Sequence, residues 1–126
     1  MTTHAPTAAT ITGIDIAVHS ISDAGRAIAF YRDVLGMPVS DEYSGRGAEF
    51  ELADGSTFGV WKPDAGQPEK GVTLMFAVAD MTSALETFRA RGAELHGPEE
   101  TPACFMAFGA DPDGNAFIIH ERKTGA

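Results

Sequence analysis

Four histidines, two closely spaced glutamates and a single cysteine are the side chains of this 126-residue sequence best suited to chemistry. Imidazole changes charge near neutral pH and also ligates metals, so His19 and His120, each inside an apolar stretch, are candidates for proton transfer or coordination. His4 lies in a start rich in Thr, Ala and Pro, and His96 in a turn, where neither invites a role. Glu49 and Glu51, two residues apart, would share one face of a strand. Together with His19 and His120, Glu51 could complete a three-ligand site for a divalent metal. Plainer uses compete at each position. His120 also suits a hydrogen-bonded pocket residue, His19 an interior or interface histidine, and the glutamates a solvated strand face. No base stands at a spacing that would activate Cys104, so a nucleophilic thiol is not expected.

These groups meet only if the chain brings them to common faces, and an internal repeat says how it does so. The stretch from Asp23 to Arg32 aligns with that from Asp80 to Arg89 at an offset of 57, pairing Ala27 with Ala84, Ile28 with Leu85 and Tyr31 with Phe88. A glycine ends each stretch, Gly36 and Gly92, and Asp54-Gly55 matches Asp113-Gly114 at an offset of 59. In each half a strand (14–21; 72–78) runs into an aspartate suited to N-cap a helix. The first helix places Ala27, Ile28, Tyr31, Val34 and Leu35 on one face, the second Met81, Ala84, Leu85 and Phe88. Three short strands follow in each half. They are separated by turns at 44–47 and Asp54-Gly55, then at Gly97-Pro98 and 111–115. The Asp113-Gly114 turn needs no functional explanation.

The expected class is therefore α+β, with two βαβββ modules in tandem. Each module would be a bent mixed sheet with its helix on the convex face, and the two concave faces would enclose a cavity. Residues 1–10 read as a flexible tail, 11–63 as module one and 70–123 as module two of a single domain. Side chains alternate along a strand, so Ile16, Val18 and Ser20 should share the cavity face while His19 turns towards the helices, unless a bulge near Ser20 flips the register and turns it to the cavity. Phe50 and Leu52 suit the helix side, which leaves Glu49 and Glu51 towards the cavity. His120 shares parity with Ile118, and its repeat-mate is Trp61. Met75, Cys104 and Met106 complete the expected lining, mainly apolar with a few polar groups, as small-molecule cavities are.

A net charge of −9 would repel a phosphate backbone or an anionic membrane surface, so neither is an expected partner. One cysteine allows no internal disulfide, no apolar run spans a bilayer and no basic-then-apolar leader is present. A cytoplasmic location is the expectation.

The segment Phe30-Tyr31-Arg32-Asp33-Val34-Leu35-Gly36 after a capping aspartate, with Asp111-Pro112-Asp113-Gly114-Asn115 before the last strand, resembles the vicinal oxygen chelate superfamily over residues 12–122. That group includes glyoxalase I, extradiol dioxygenases and the bleomycin and fosfomycin resistance proteins. Residues 100–106 with 118–123 resemble a subgroup of small glyoxalase-like proteins. The resemblance implies four metal-ligand positions, one on the first strand and one on the last strand of each half. Here they are Ile16, Thr73, Gly59 and Ile118, none a normal ligand. The resemblance thus implies the fold and a concave cavity, without the usual divalent metal and with no predicted cofactor. The expected function is binding or conversion of a small, partly apolar or aromatic molecule, with His120 the one catalytic candidate. Enzymatic turnover is left open. The alternative is a metal-dependent lyase or dioxygenase using His19, Glu51 and His120. A homodimer is expected, its cavity formed either within one chain or between exchanged halves.

Overall fold

Two aspartates start the helices. Asp23 and Asp80 sit in extended backbone, φ −137° and −144°, and each carboxylate accepts a hydrogen bond from the third amide on, Arg26 N at 2.9 Å and Ser83 N at 3.1 Å. Around these caps the computed structural model, which describes residues 16–65 and 71–123, has two copies of one unit. In the first, β1 (Ile16–Ser20) leads to α1 (Ala24–Ala29), then β2 (Val39–Tyr43), β3 (Gly47–Glu51) and β4 (Thr57–Trp61). In the second, β5 (Leu74–Ala77) leads to α2 (Met81–Ala90), then β6 (His96–Glu100), β7 (Cys104–Ala110) and β8 (Ala116–Arg122). The sheets have matching orders, β1-β4-β3-β2 and β5-β8-β7-β6, with β1 and β5 parallel to their neighbours. This is the α+β arrangement of tandem βαβββ modules. The expected tail at 1–10 and residues 11–15, 66–70 and 124–126 lie outside the described residues.

Three local features differ from the sequence expectation. The first helix does not run on as an α-helix to Leu35. From Phe30 to Val34 it widens into a π-helical turn, closed by Leu35 N–H donating to Phe30 O and Met37 N–H to Tyr31 O. The added residue leaves the apolar spacing intact, so the pattern does not betray it. Gly97-Pro98 is not a turn but part of β6, and His96 begins that strand. An edge strand with shifted register between His96 and Glu99 tolerates a residue that has no N–H to give. Finally, β5 is shorter than expected, and Thr73 precedes it. Both helices stop where foreseen, at Gly36 and Gly92, whose φ of 73° and 104° an L side chain seldom adopts.

One core serves both modules. Tyr31, Phe50, Phe58 and Phe117 are fully buried, and Phe58 stands 5.3 Å from Phe76 of the other sheet and 4.8 Å from Tyr31 of its own module, ring to ring. Ile21, Val60 and Ile119 fill in around them. All of these project from the helix-facing sides. The concave sides are left open within the chain, so the enclosed cavity expected between the halves is not closed by one chain alone. Ile16 (40% exposed), Val18 (53%), Trp61 (41%) and Met75 (55%) are bare to solvent there. The modules are joined back to back through their cores, which turns those faces outward.

Candidate functional site

On the first sheet, strand alternation assigns the concave face. Ile16, Val18 and Ser20 lie beside Thr57, Gly59 and Trp61 of β4, and Glu49 and Glu51 of β3 lie beside Gly59 and Thr57. Gly59 forms a shallow floor, since a Cβ there would rest 3.6 Å from methyl groups of both Ile16 and Val18. Trp61 stands at the end of this surface. Its ring meets Tyr43 edge to face at 5.7 Å, and the Arg46 guanidinium lies over it at 5.3 Å. Arg46 is itself paired with Asp64. Tyr43 Oη donates to Glu49 Oε2 at 3.3 Å, and the nearby carboxylates of Glu49 and Asp41 push the phenol pKa up. Asp41 faces Glu49 across the β2–β3 pair.

On the second sheet, Met75 lies beside Ile118 and Ala77 beside His120, while Met106 and Phe108 lie across from His120 and Ile118. Cys104 is buried opposite Arg122 with its Sγ 3.2 Å from Thr101 Oγ1. A hydroxyl is no base, so nothing at that contact activates the thiol. The expected lining residues of each sheet thus fall on its concave side, Thr73 excepted because it lies before β5. Trp61 and His120 occupy matching places, but on different sheets, and do not meet. Sequence reasoning missed Tyr43, Arg46 and Phe108. Phe108 has the parity of Cys104 and Met106 and was legible. Tyr43 was obscured by the shifted register between Val39 and Asp41.

His19 points the other way. It is 4% exposed and packs edge-on against Phe58 at 5.6 Å inside the core, with no hydrogen-bond partner for Nε2. Burial lowers its pKa, and the charge of Asp111 opposes that only in part. The proposed trio of His19, Glu51 and His120 is therefore not assembled, because His19 occupies the opposite face of its strand. Among the described residues no three His, Cys, Asp or Glu side chains stand close enough to hold a metal ion. At the four positions implied by the resemblance, Ile16, Gly59 and Ile118 offer no side-chain donor and Thr73 only a hydroxyl, a set that does not fit a divalent cation.

The fold recurs in known structures. A family profile described as "Glyoxalase-like domain" matches residues 15–120. The chain belongs to the glyoxalase-like domain family, within the vicinal oxygen chelate superfamily. A glyoxalase family protein from Bacillus anthracis superposes with a TM-score of 0.76 at 20% identity, covering 93% of this chain and 100% of that one. TnmS3, an antibiotic binding protein from Streptomyces sp. CB03234, gives 0.76 at 22% identity over 90% and 98%. A glyoxylase/bleomycin resistance protein/dioxygenase domain from Frankia sp. EAN1pec gives 0.74 at 19% over 93% and 96%. These likenesses establish the fold. No curated protein sequence matches the chain. Among the described residues no helix of this glyoxalase-like chain is long and apolar enough to cross a membrane.

Proposed function

We propose that this glyoxalase-like protein binds a small planar aromatic molecule carrying a positive charge on its concave surface, and that it needs no divalent metal to do so. The observation that carries this reading is the exposed Trp61, with Tyr43 edge-on and the Tyr43 hydroxyl bonded to Glu49. An aromatic ligand gains by covering the exposed part of the Trp61 ring in place of Arg46, whose charge Asp64 balances, and Asp41, Glu49 and Glu51 favour a cation there. TnmS3, an antibiotic binding protein of the same fold, is consistent with a sequestering role. His120, between Ala77 and Met106, would orient the ligand or exchange a proton with it.

The open concave faces also support a homodimer in which a second copy supplies the opposite wall of each cavity. Ile16, Val18 and Met75 would then leave water.

Titration calorimetry with proflavine, a planar cation, and anthraquinone-2-sulfonate, a planar anion, tests the reading. Quenching of Trp61, the only tryptophan, provides a second signal. Proflavine should bind at least about tenfold tighter than the anion. Trp61→Ala should weaken it by a similar factor, and chelator treatment should change nothing. Equal affinity for both probes together with an indifferent Trp61→Ala variant would defeat the proposal. Sedimentation equilibrium tests the dimer.

A further inference from the structure

The two modules meet at two places related by the internal repeat, and only one of them is filled. At the first, the turn of module two clasps the end of β1. Asp111 Oδ2 accepts from Tyr31 Oη and from Asn115 Nδ2, each at 2.9 Å, while Asn115 Nδ2 also donates to Ser20 O at 2.9 Å. Asp113 Oδ1 accepts from Ser22 N–H at 3.1 Å and from the Ser22 hydroxyl. Asp111 and Asn115 are 5% and 3% exposed, so the place is packed shut.

The repeat puts Leu52 where Asp111 stands, Ser56 where Asn115 stands, Phe88 for Tyr31 and Ala77 for Ser20. The backbone follows the same correspondence: Ile21 N–H donates to Trp61 O, and Val78 N–H to His120 O. Leu52 and Phe88 cannot make the bonds of Asp111 and Tyr31, and Asp54, the counterpart of Asp113, is bonded to Ser56 instead of to the end of β5. In their place a pocket of about 470 Å³ opens between the turn of module one, the end of α1 and the free edge of β5. Leu35, Met37, Leu52, Phe76, Phe88 and Ile119 form its apolar walls.

Its polar groups are few and already distinguishable. The Asp54 carboxylate is occupied by the amide and hydroxyl of its own neighbour Ser56. Because Val78 N–H points to β8, the carbonyl of Ala77 points the opposite way, to the free edge. Its counterpart, Ser20 O, takes the carboxamide of Asn115. We infer that this seam pocket is a second ligand site, separate from the Trp61 surface, and that it takes small uncharged aryl carboxamides. The ring occupies the apolar space between Leu52 and Phe88, and the amide NH2 donates to Ala77 O as Asn115 does to Ser20 O. The volume lies within the range of small-molecule sites, and the burial of a ring against six apolar side chains supplies the attraction.

Benzamide is the probe, followed by 1H–15N correlation spectra of the whole protein. Saturable shifts should appear at Ser56, Ala77, Val78 and Phe88, and ethylbenzene, which has no amide, should bind at least about tenfold more weakly. Met37→Trp, which fills the pocket, should abolish the shifts. Ser56→Trp, at an exposed position on the rim, gives the same reading if the first variant does not fold. Trp61→Ala should leave benzamide binding unchanged whether or not the proflavine reading holds. Shifts confined to the Trp61 surface, loss of binding in Trp61→Ala, or undiminished binding in the filled variants would each overturn the inference.

Discussion

Replacing His19 by the residue its repeat-mate already carries should stabilise the protein. His19 and Phe76 hold the same place in β1 and β5. Each ring packs on an aromatic of the adjoining strand, His19 on Phe58 at 5.6 Å and Phe76 on Phe117 at 5.8 Å. The imidazole Nε2 is buried without a partner, and leaving such a group unsatisfied costs about 1–3 kcal/mol. Phenylalanine removes that cost but brings a larger ring into a packed site, which takes back about 1 kcal/mol. The expected net gain for His19→Phe is about 1 kcal/mol, or about 4 °C in Tm for a chain of this length. The pH dependence supplies an independent sign. Burial holds the folded pKa of His19 below its ordinary value of 6.5, with Asp111 only partly compensating. As pH falls, the unfolded chain therefore takes up this proton first. Stability is full above about pH 6.5 and declines as pH drops towards the folded pKa. Urea melts of both proteins at pH 7.5 and 5.5 read both effects. The parent should lose stability between the two values and His19→Phe should lose less. A variant that is weaker at pH 7.5 and keeps the full acid loss would refute the reasoning.

Other substitutions probe the frame around the site. Tyr31→Phe removes one donor from buried Asp111, which retains the amides of Asp113 and Asn115 and the Asn115 side chain. A loss of about 1–3 kcal/mol in urea melts is expected. Gly47→Ala should cost about 3 kcal/mol or more, because its Cβ would fall 2.0 Å from Val60 O, a backbone atom that cannot step aside. Gly59→Ala, with nothing nearer than 3.4 Å, should express and melt within about 1 kcal/mol of the parent. Asp80→Ala should lower stability by about 1 kcal/mol through the bond to Ser83 N–H, without altering proflavine binding by the concave face.

Much of this architecture was legible in the sequence because its signals are local. Asp23 and Asp80 cap helices wherever they are placed, Gly36 and Gly92 end them, and alternation separates Phe50 from Glu49 with no knowledge of the fold. The same alternation put His19 on the core side, which removes it from any concave metal site. What alternation cannot supply is the surface that each face meets. Ile16, Val18 and Met75 carry the apolar character of a cavity wall, yet within one chain nothing covers them. Trp61 and His120 illustrate the same point: matching positions in two repeats give matching depths on two sheets, which does not by itself bring the side chains together. The turn at 111–115 was read only as a turn because its composition suffices for one. That its first residue is buried against Tyr31 depends on how the modules dock.

The differences between the repeats also fall into a pattern. Positions that build a module on its own, the caps, the helix stops and the Asp-Gly turns, are the same in both halves. Several positions where the modules touch have diverged, His19 against Phe76, Tyr31 against Phe88, and Asp111 and Asn115 against Leu52 and Ser56, while Phe58 and Phe117 are the same. A symmetric seam would have needed two clasps or two pockets. The one clasp ties the turn of module two to module one at two points, Asp111 to Tyr31, and Asn115 and Asp113 to Ser20 at the end of β1 and Ser22 just beyond it. With the modules tied at one place, the other is free of that requirement, and apolar side chains there leave space instead of bonds. The pocket beside Leu52 and Phe88 is thus the counterpart of the clasp, and restoring the clasp residues on that side should close it.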